Sequence, residues 1–538
     1  LAINLSQAYY LMVERPALSA LVLGIVAATG YPPLGLWPLT VLALAAFITL
    51  LQSVQSLKQA AWWGFLFGWG HLSLANHWIA TAFTFQAEMP PALGWLAVPL
   101  LCIYLALYPA MAALATQLVT GWMMRKLQMN PPGLASFSGL FAAFWILTEW
   151  LRSWVFTGYP WPPLGLVFLG DFTRPGLALV LPWMGTYALS GFVVVLSGLL
   201  AALVVYRHWF LVIALGGIVT GGMLLPPMQI LQPGDTRFAL IQPFIPQTEM
   251  GDPRQFEAQF ERISALTIPG REDRRLILWP ESSLPDYLED GYPQRYYVQM
   301  TAEADPSFAR KRIGEVVGDE SLLLAGLIHL NIEEVAGRRT AVSARNAVTV
   351  ISPEGELGQS YNKAHLVPYG EYLPMRDILE PLGLSRLVPG TIDYAEGPGP
   401  QTLDLGDFGK AGIQICYEIV FSGQVVDREN RPDYIFNPSN DGWFGAWGPP
   451  QHLAQARLRA LEEGLPVLRS TTTGISAIVD PRGVVRGFIG QGKADRIDGY
   501  IPPAASPTLF SRYGNILPLS WAVVIGLLSL VVMYRRSV

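Results

Sequence analysis

Cys416 is the one cysteine outside the apolar segments, and it ends the strand-like run Gly412-Ile413-Gln414-Ile415-Cys416-Tyr417-Glu418. The only other cysteine, Cys102, lies in a long apolar stretch, so the chain offers neither a disulfide framework nor a cysteine-rich zinc pattern. A lone thiol is either an inert small hydrophobe or a nucleophile. Two further segments favour the nucleophile. Leu276-Ile277-Leu278-Trp279-Pro280-Glu281-Ser282 is an apolar strand that stops at a proline and presents a carboxylate just beyond it. Tyr361-Asn362-Lys363-Ala364-His365-Leu366-Val367-Pro368-Tyr369-Gly370-Glu371-Tyr372-Leu373-Pro374 is a loop too aromatic to be a simple solvated connection. Singly these are a surface glutamate and a solvated lysine. Together, in the order Glu281, Lys363, Cys416, they supply a general base, a cation for a developing oxyanion and a nucleophile.

In these segments the chain resembles the nitrilase superfamily, whose members use a Glu-Lys-Cys triad. Asn437-Pro438-Ser439-Asn440-Asp441-Gly442-Trp443-Phe444, then Gln451-His452 and a helix through Arg457, Arg459 and Glu462, resemble one branch, the apolipoprotein N-acyltransferases. The resemblance covers residues 237 to 500 by motif. It implies an αββα sandwich with the triad at its strand ends. It also implies transfer of a fatty acyl chain from a phospholipid, preferably phosphatidylethanolamine, to the α-amine of an S-diacylglyceryl cysteine on an apolipoprotein. Glu371 and Glu418 match residues that orient the lysine and support the active-site loop in this family, and Tyr417 contributes backbone geometry beside the nucleophile. The chain departs from the pattern after Ile245-Pro246-Gln247, where many relatives carry a tryptophan and this sequence reads Thr248-Glu249-Met250-Gly251-Asp252.

The chemistry is a two-step cycle. A thiolate attacks an ester carbonyl once a base takes its proton or a cation lowers its pKa, and Glu281 is the expected base. The tetrahedral oxygen gathers negative charge that the Lys363 ammonium and a backbone N–H beside Cys416 can hold. Loss of the lysolipid leaves a thioester on Cys416. A neutral amine then attacks it, with Glu281 again receiving a proton. No histidine is needed, and neither His365 nor His452 has a second ligand at metal spacing, so no metal or cofactor is expected.

Composition sets the surroundings. The 538 residues are 51% hydrophobic and only 14% charged, with a mean hydropathy of +0.33, too apolar for an ordinary soluble enzyme in which about a quarter of residues are charged. A net charge of -5 without a basic patch gives no reason to expect a nucleic-acid partner. Apolar runs near 17–29, 36–53, 61–83, 92–122, 135–151, 183–205, 209–225 and 517–534 read as about eight spans, several close to the roughly 20 residues that cross hydrocarbon. The first run lacks a basic leader and a small-residue cleavage site, so it reads as a span rather than a cleaved signal.

If eight helices alternate, Arg15, Lys58, Arg125 with Lys126, Arg207, and Arg535 with Arg536 fall on one side, which the positive-inside rule makes cytoplasmic. The expected organisation is then a membrane domain over 1–225, an extracytoplasmic α/β catalytic domain over 226–516, and a last transmembrane helix over 517–538. In a double-membrane bacterium this places the catalytic domain in the periplasm and the chain in the inner membrane. A solitary thiol there has no cysteine partner to oxidise with.

Within the polar segment, strand-like runs recur at Arg237–Gln242, Arg275–Trp279, Leu322–Leu330, Ala347–Ile351, Gly412–Cys416, Tyr434–Asn437 and Gly474–Val479. Pro381-Leu382-Gly383-Leu384-Ser385-Arg386-Leu387 and Trp443-Phe444-Gly445-Ala446-Trp447 are candidate lipid-facing loops, with Leu384, Leu387, Trp443 and Phe444 as candidate substrate contacts; packing in the core is the alternative. The triad alone does not separate a transferase from a membrane-anchored amidase. A polytopic transporter or receptor with an extracytoplasmic binding domain is a third reading. Bilayer spans favour the transferase, because a phospholipid ester and a lipid-anchored acceptor are both confined to the membrane plane.

Overall fold

Phe238 and Leu240 of the strand Arg237–Gln242 (β1) point to one side and Ala239 and Ile241 to the other, and both sides are buried. A strand covered on both faces needs no polar alternation, which is why β1 and Leu276–Leu278 (β2) read as unbroken apolar runs. In the computed structural model, which describes residues 12, 14–54, 56–85, 92–226, 233–382 and 392–536, these strands belong to two six-stranded sheets. The first also holds Leu322–Val335 (β3), Arg338–Ile351 (β4), Leu357–Asn362 (β5) and Asp495–Tyr500 (β12), in the order β12-β1-β2-β3-β4-β5. The second is built from Thr402–Asp404 (β6), Lys410–Ile413 (β7), Tyr434–Ser439 (β8), Val467–Thr471 (β9), Ser476–Val479 (β10) and Val485–Ile489 (β11), in the order β11-β10-β9-β8-β7-β6.

Parallel pairing is confined to the middle of each sheet, β1-β2-β3 and β7-β8-β9. Parallel neighbours require crossovers. Helices Phe256–Thr267 and Pro306–Val317 supply them in the first sheet, and Gly448–Glu463 links β8 to β9 in the second. Phe238, Leu240, Leu278 and Leu324 of the first sheet meet Ile413, Phe436, Leu468 and Ile478 of the second in one core. The opposite face of the first sheet packs Ile241, Ile277 and Leu323 on Phe260, Ile263 and Ile313 of its two helices. Each such side chain, fully buried, contributes about 1.5–3 kcal/mol. The result is the expected αββα layering.

The strands extend beyond the sequence reading. β3 and β4 form a hairpin of 14 residues on each side, in which Glu333, Glu334, Arg338 and Arg339 continue the ladder past the apolar part. Polar hairpin tips carry no periodic apolar signal, so the expected strands stopped at Leu330 and began at Ala347. Tyr361 and Asn362, expected in a loop, end strand β5 instead, and Lys363 follows directly.

Chain contacts divide the molecule into two compact units, Leu1–Ala80 with Pro91–Pro227 and Thr508–Val538, and Thr81–Pro90 with Met228–Pro507. The sandwich lies in the second. The first is helical: Pro16–Ala28, Trp37–Gln52, Leu57–Ala75, Ala92–Leu105, Leu107–Lys126, Leu134–Arg152, Leu181–Val205, Trp209–Leu224 and Ile516–Arg535. Among the described residues, four stretches are long and apolar enough to cross a membrane: Ala92–Lys126, Leu134–Arg152, Leu177–Val205 and Ile516–Arg535. Three more apolar helices are shorter, at Pro16–Ala28, Trp37–Gln52 and Trp209–Leu224. Small residues let these helices approach closely; a Cβ on Gly24 would lie 2.0 Å from the Phe67 carbonyl oxygen. The buried charges Glu149 and Arg152 are accounted for locally. Arg152 donates to the carbonyls of Trp161 and Pro162, Glu149 accepts from the Leu164 amide at 2.8 Å, and the two side chains pair at 3.7 Å.

Candidate active site

Strand ends of both sheets converge on one buried cluster. Glu281 lies just past β2, Lys363 just past β5, Cys416 just past β7 and Asn440 just past β8. Such positions beyond strand C-termini are where side chains leave the ladder and face a common crevice. Glu281, Lys363 and Cys416 are 6%, 2% and 4% exposed. The sequence-expected triad is therefore a single constellation, drawn from residues 135 positions apart in the chain.

A buried ammonium is costly unless paired. Lys363 Nζ donates to Glu371 Oε1 at 3.0 Å and to Glu281 Oε1 at 3.3 Å. Burial alone would discharge the lysine, but the two carboxylates outweigh it and hold its pKa well above the ordinary value. Asn346 Nδ2 bridges the same two carboxylates, at 2.7 Å to Glu281 and 3.0 Å to Glu371. The second oxygen of Glu281 accepts from the Asn440 amide at 2.7 Å, and that of Glu371 from the Val367 amide at 2.8 Å. Every carboxylate oxygen of this pair thus has a donor, which locks both rotamers. Asn440 in turn reaches Gln247 and the Met250 sulfur, so the segment where an aromatic was expected in relatives abuts Glu281 through Asn440.

Burial, and then the charge of Glu281, push the Cys416 thiol well above its ordinary pKa, against the opposing pull of Lys363. It rests as a thiol. Cys416 also has a φ of +51°, the left-handed region, where a side-chain-bearing residue costs about 1–3 kcal/mol. Glu418 holds this turn. Its Oε2 accepts from the Ile415 amide at 2.8 Å, while Oε1 takes the Tyr361 hydroxyl at 2.7 Å and the Ala364 amide at 2.8 Å. One carboxylate therefore ties the Cys416 turn to the Lys363 loop. Burial raises the Glu418 pKa to about 7, with those hydrogen bonds pulling it down. Glu371 and Glu418 are both buried rather than exposed ion-pair partners at the surface. Tyr417 is buried beside Cys416, edge-on to Phe421.

The candidate lipid contacts divide. Phe444 packs against the core between the sheets and lies edge-on to His452, while Trp443 is half-buried with its ring edge-on to Phe85. Leu384 and Leu387 lie outside the described residues. Among the described residues, no group of three or more His, Cys, Asp or Glu side chains is arranged to hold a metal ion. Sequence reasoning missed Asn346, which lies inside a strand and carries no local signature. It also missed the roles of Asn440 and Asp441, although both lie in a segment singled out by motif.

Gly326 of β3 lets Glu281 approach. A Cβ there would lie 2.4 Å from the Pro280 oxygen, 2.7 Å from Glu281 Cα and 2.8 Å from the Ser282 amide nitrogen, all backbone atoms. Gly326→Ala is expected to shift this turn, destabilise the protein by about 1–3 kcal/mol and lower turnover by at least about tenfold. Thermal unfolding and acyl-transfer rates check this; unchanged turnover would mean that the close approach does not set the position of Glu281.

A carbon-nitrogen hydrolase sandwich joined to an apolar helical unit defines a membrane-embedded acyl-transfer enzyme of the nitrilase type, and the carbon-nitrogen hydrolase domain matches residues 237–504. The apolipoprotein N-acyltransferase N-terminal domain matches residues 23–199. An apolipoprotein N-acyltransferase of Nitrosomonas europaea is 32% identical over 95% of this chain and 96% of its own length. Those of Rhodopseudomonas palustris, at 29% over 97% and 95%, and Sinorhizobium fredii, at 31% over 96% and 94%, are similar. The chain belongs to the apolipoprotein N-acyltransferase family, and it is an N-acyltransferase. Among solved structures, a mutant of the Nesterenkonia AN1 amidase from the nitrilase superfamily is 18% identical, with a TM-score of 0.33, covering 51% of this chain and 94% of that one.

Proposed function

We propose that this protein moves a fatty acyl chain from a phospholipid, with phosphatidylethanolamine as the preferred donor, to the α-amine of an S-diacylglyceryl cysteine on an apolipoprotein, through a thioester on Cys416. The observation that carries this reading is the buried Glu281–Lys363–Glu371 hydrogen-bonded cluster that acts electrostatically on the Cys416 thiol. Glu281 takes the thiol proton as sulfur attacks the ester carbonyl. Lys363 holds the negative oxygen of the tetrahedral intermediate. The carbon–oxygen bond breaks, and the departing lysolipid alkoxide takes the proton from Glu281. The acceptor amine then attacks the thioester and yields a proton to Glu281. The carbon–sulfur bond breaks, the amide forms, and the proton returns to Cys416. Glu371 and Asn346 keep Lys363 and Glu281 in register throughout.

Incubation with phospholipid and a diacylated lipopeptide tests the reaction. An N-acylated lipopeptide is expected; hydrolysis of simple amides without transfer would make the protein an amidase, and binding without turnover would make it a receptor.

The same reading sets the helices in about eight spans, with membrane segments over 1–225 and 517–538 and the catalytic domain, 226–516, in the periplasm, anchored in the bacterial inner membrane. Glu272, exposed in the loop after Gly270, is a suitable reporter. In Glu272→Cys, a membrane-impermeant thiol reagent added outside the inner membrane is expected to label the new cysteine. Labelling only after that membrane is breached would reverse the orientation and end the lipoprotein reading.

A further inference from the structure

His452 lies in the helix Gly448–Glu463, is fully buried, and reaches the nucleophile through the backbone: its Nε2 is 3.0 Å from the Cys416 carbonyl oxygen. A carbonyl only accepts, so Nε2 carries the hydrogen. The other nitrogen, Nδ1, is 2.9 Å from Arg469 Nη2 and 2.9 Å from Asp441 Oδ1. Arginine only donates, so Nδ1 of a neutral ring accepts from it. Arg469 also grips both oxygens of Asp441, at 2.8 and 2.7 Å, and donates to Asn437 and to Ser439 Oγ. Asp441 and Arg469 thus cancel each other's charge and leave the imidazole as a neutral, oriented donor. Burial, then the Arg469 cation, lower the pKa of the ring in agreement with that state.

Given Cys416 as the nucleophile, we infer that His452 is a positioning residue: by holding the Cys416 carbonyl it keeps the nucleophile in its left-handed backbone conformation and so aims the thiol at the ester. The need for such a tether follows from the φ of +51° at Cys416. Without it, the turn is free to relax toward the ordinary β or right-handed regions, which swings the Cα–Cβ bond and carries the sulfur away. Glu418 secures the turn through the amide of Ile415, on the near side of Cys416; His452 secures the far side. The Asp441–Arg469 pair acts one step further out, by fixing which nitrogen of His452 bears the hydrogen.

Two substitutions separate the parts of the ring. The amide of His452→Gln reaches the place of Nε2 and retains the bond to Cys416; that of His452→Asn matches Nδ1 and retains only the side facing Asp441 and Arg469. Single-turnover acylation by phospholipid is expected to slow about 30- to 100-fold in His452→Asn, with KM nearly unchanged, and by no more than about fivefold in His452→Gln. An unaffected His452→Asn variant, or equal losses in both, would overturn the assignment. Histidine ¹⁵N spectra of the unaltered protein provide a readout that does not depend on these variants folding. The six histidine signals are assigned from single substitutions at the other five, His71, His77, His208, His329 and His365. His452 is expected as the Nε2–H tautomer, and an Nδ1–H or imidazolium signal would overturn the assignment. Failure of the wild-type protein to form any thioester would instead strike at Cys416 itself.

Discussion

Purified protein given phospholipid alone is expected to accumulate a fatty acyl thioester at Cys416, and Cys416→Ala to acquire none. Without the lipopeptide no S-diacylglyceryl cysteine α-amine is present, and water attacks a thioester more slowly than an amine does, so the cycle halts half-way. The adduct is read by intact-protein and peptide mass spectrometry. Neutral hydroxylamine should release it, and a diacylated lipopeptide should discharge it with formation of the N-acyl product. Cys102, buried in the helical unit, is the internal control. An adduct at Cys102, or rapid transfer by Cys416→Ala, would show that the nucleophile is elsewhere.

Glu281→Gln and Lys363→Met are each expected to lower turnover on the order of 10²-fold or more, the loss that follows removal of a base or an oxyanion donor. The two differ in what they leave behind. The side-chain amide in Glu281→Gln keeps an oxygen for Asn346 or the Asn440 amide but cannot take the thiol proton. Lys363→Met removes the cation that Glu281 and Glu371 share, and with it the charge that holds the oxygen of the tetrahedral intermediate. The thioester is therefore expected to fail to form in Lys363→Met even with all other groups present. Circular dichroism and gel filtration in detergent check that each variant is folded. Near-normal turnover in either folded variant removes that residue from the mechanism.

The sandwich core was legible because its signal is local. Leu276-Ile277-Leu278 is apolar at every position since both faces of β2 are covered, and the turn that follows, at Pro280, ends the strand where the carboxylate emerges. The charged ends of β3 and β4 were not legible, because cross-strand pairing with a neighbour, rather than burial, keeps them extended. The helical runs were legible from composition, the run over 92–122 among them, which lies in one apolar stretch over Ala92–Lys126.

By itself the sequence determined the residue types of the site and their family: a lone thiol after one strand, a glutamate after another, a lysine in an aromatic loop, each marked by its own short segment. What only the tertiary structure decided is how these groups are held. Asn346 bridges two carboxylates from inside a strand, Glu418 joins two loops 54 residues apart at Ala364, and His452 grasps the carbonyl of a residue 36 positions earlier. The physical reason is the range of the interactions. Burial patterns and turn chemistry act between neighbours in the chain and leave a periodic trace. A hydrogen bond between groups far apart in sequence leaves none until the sheets have folded and brought donor and acceptor within about 3 Å.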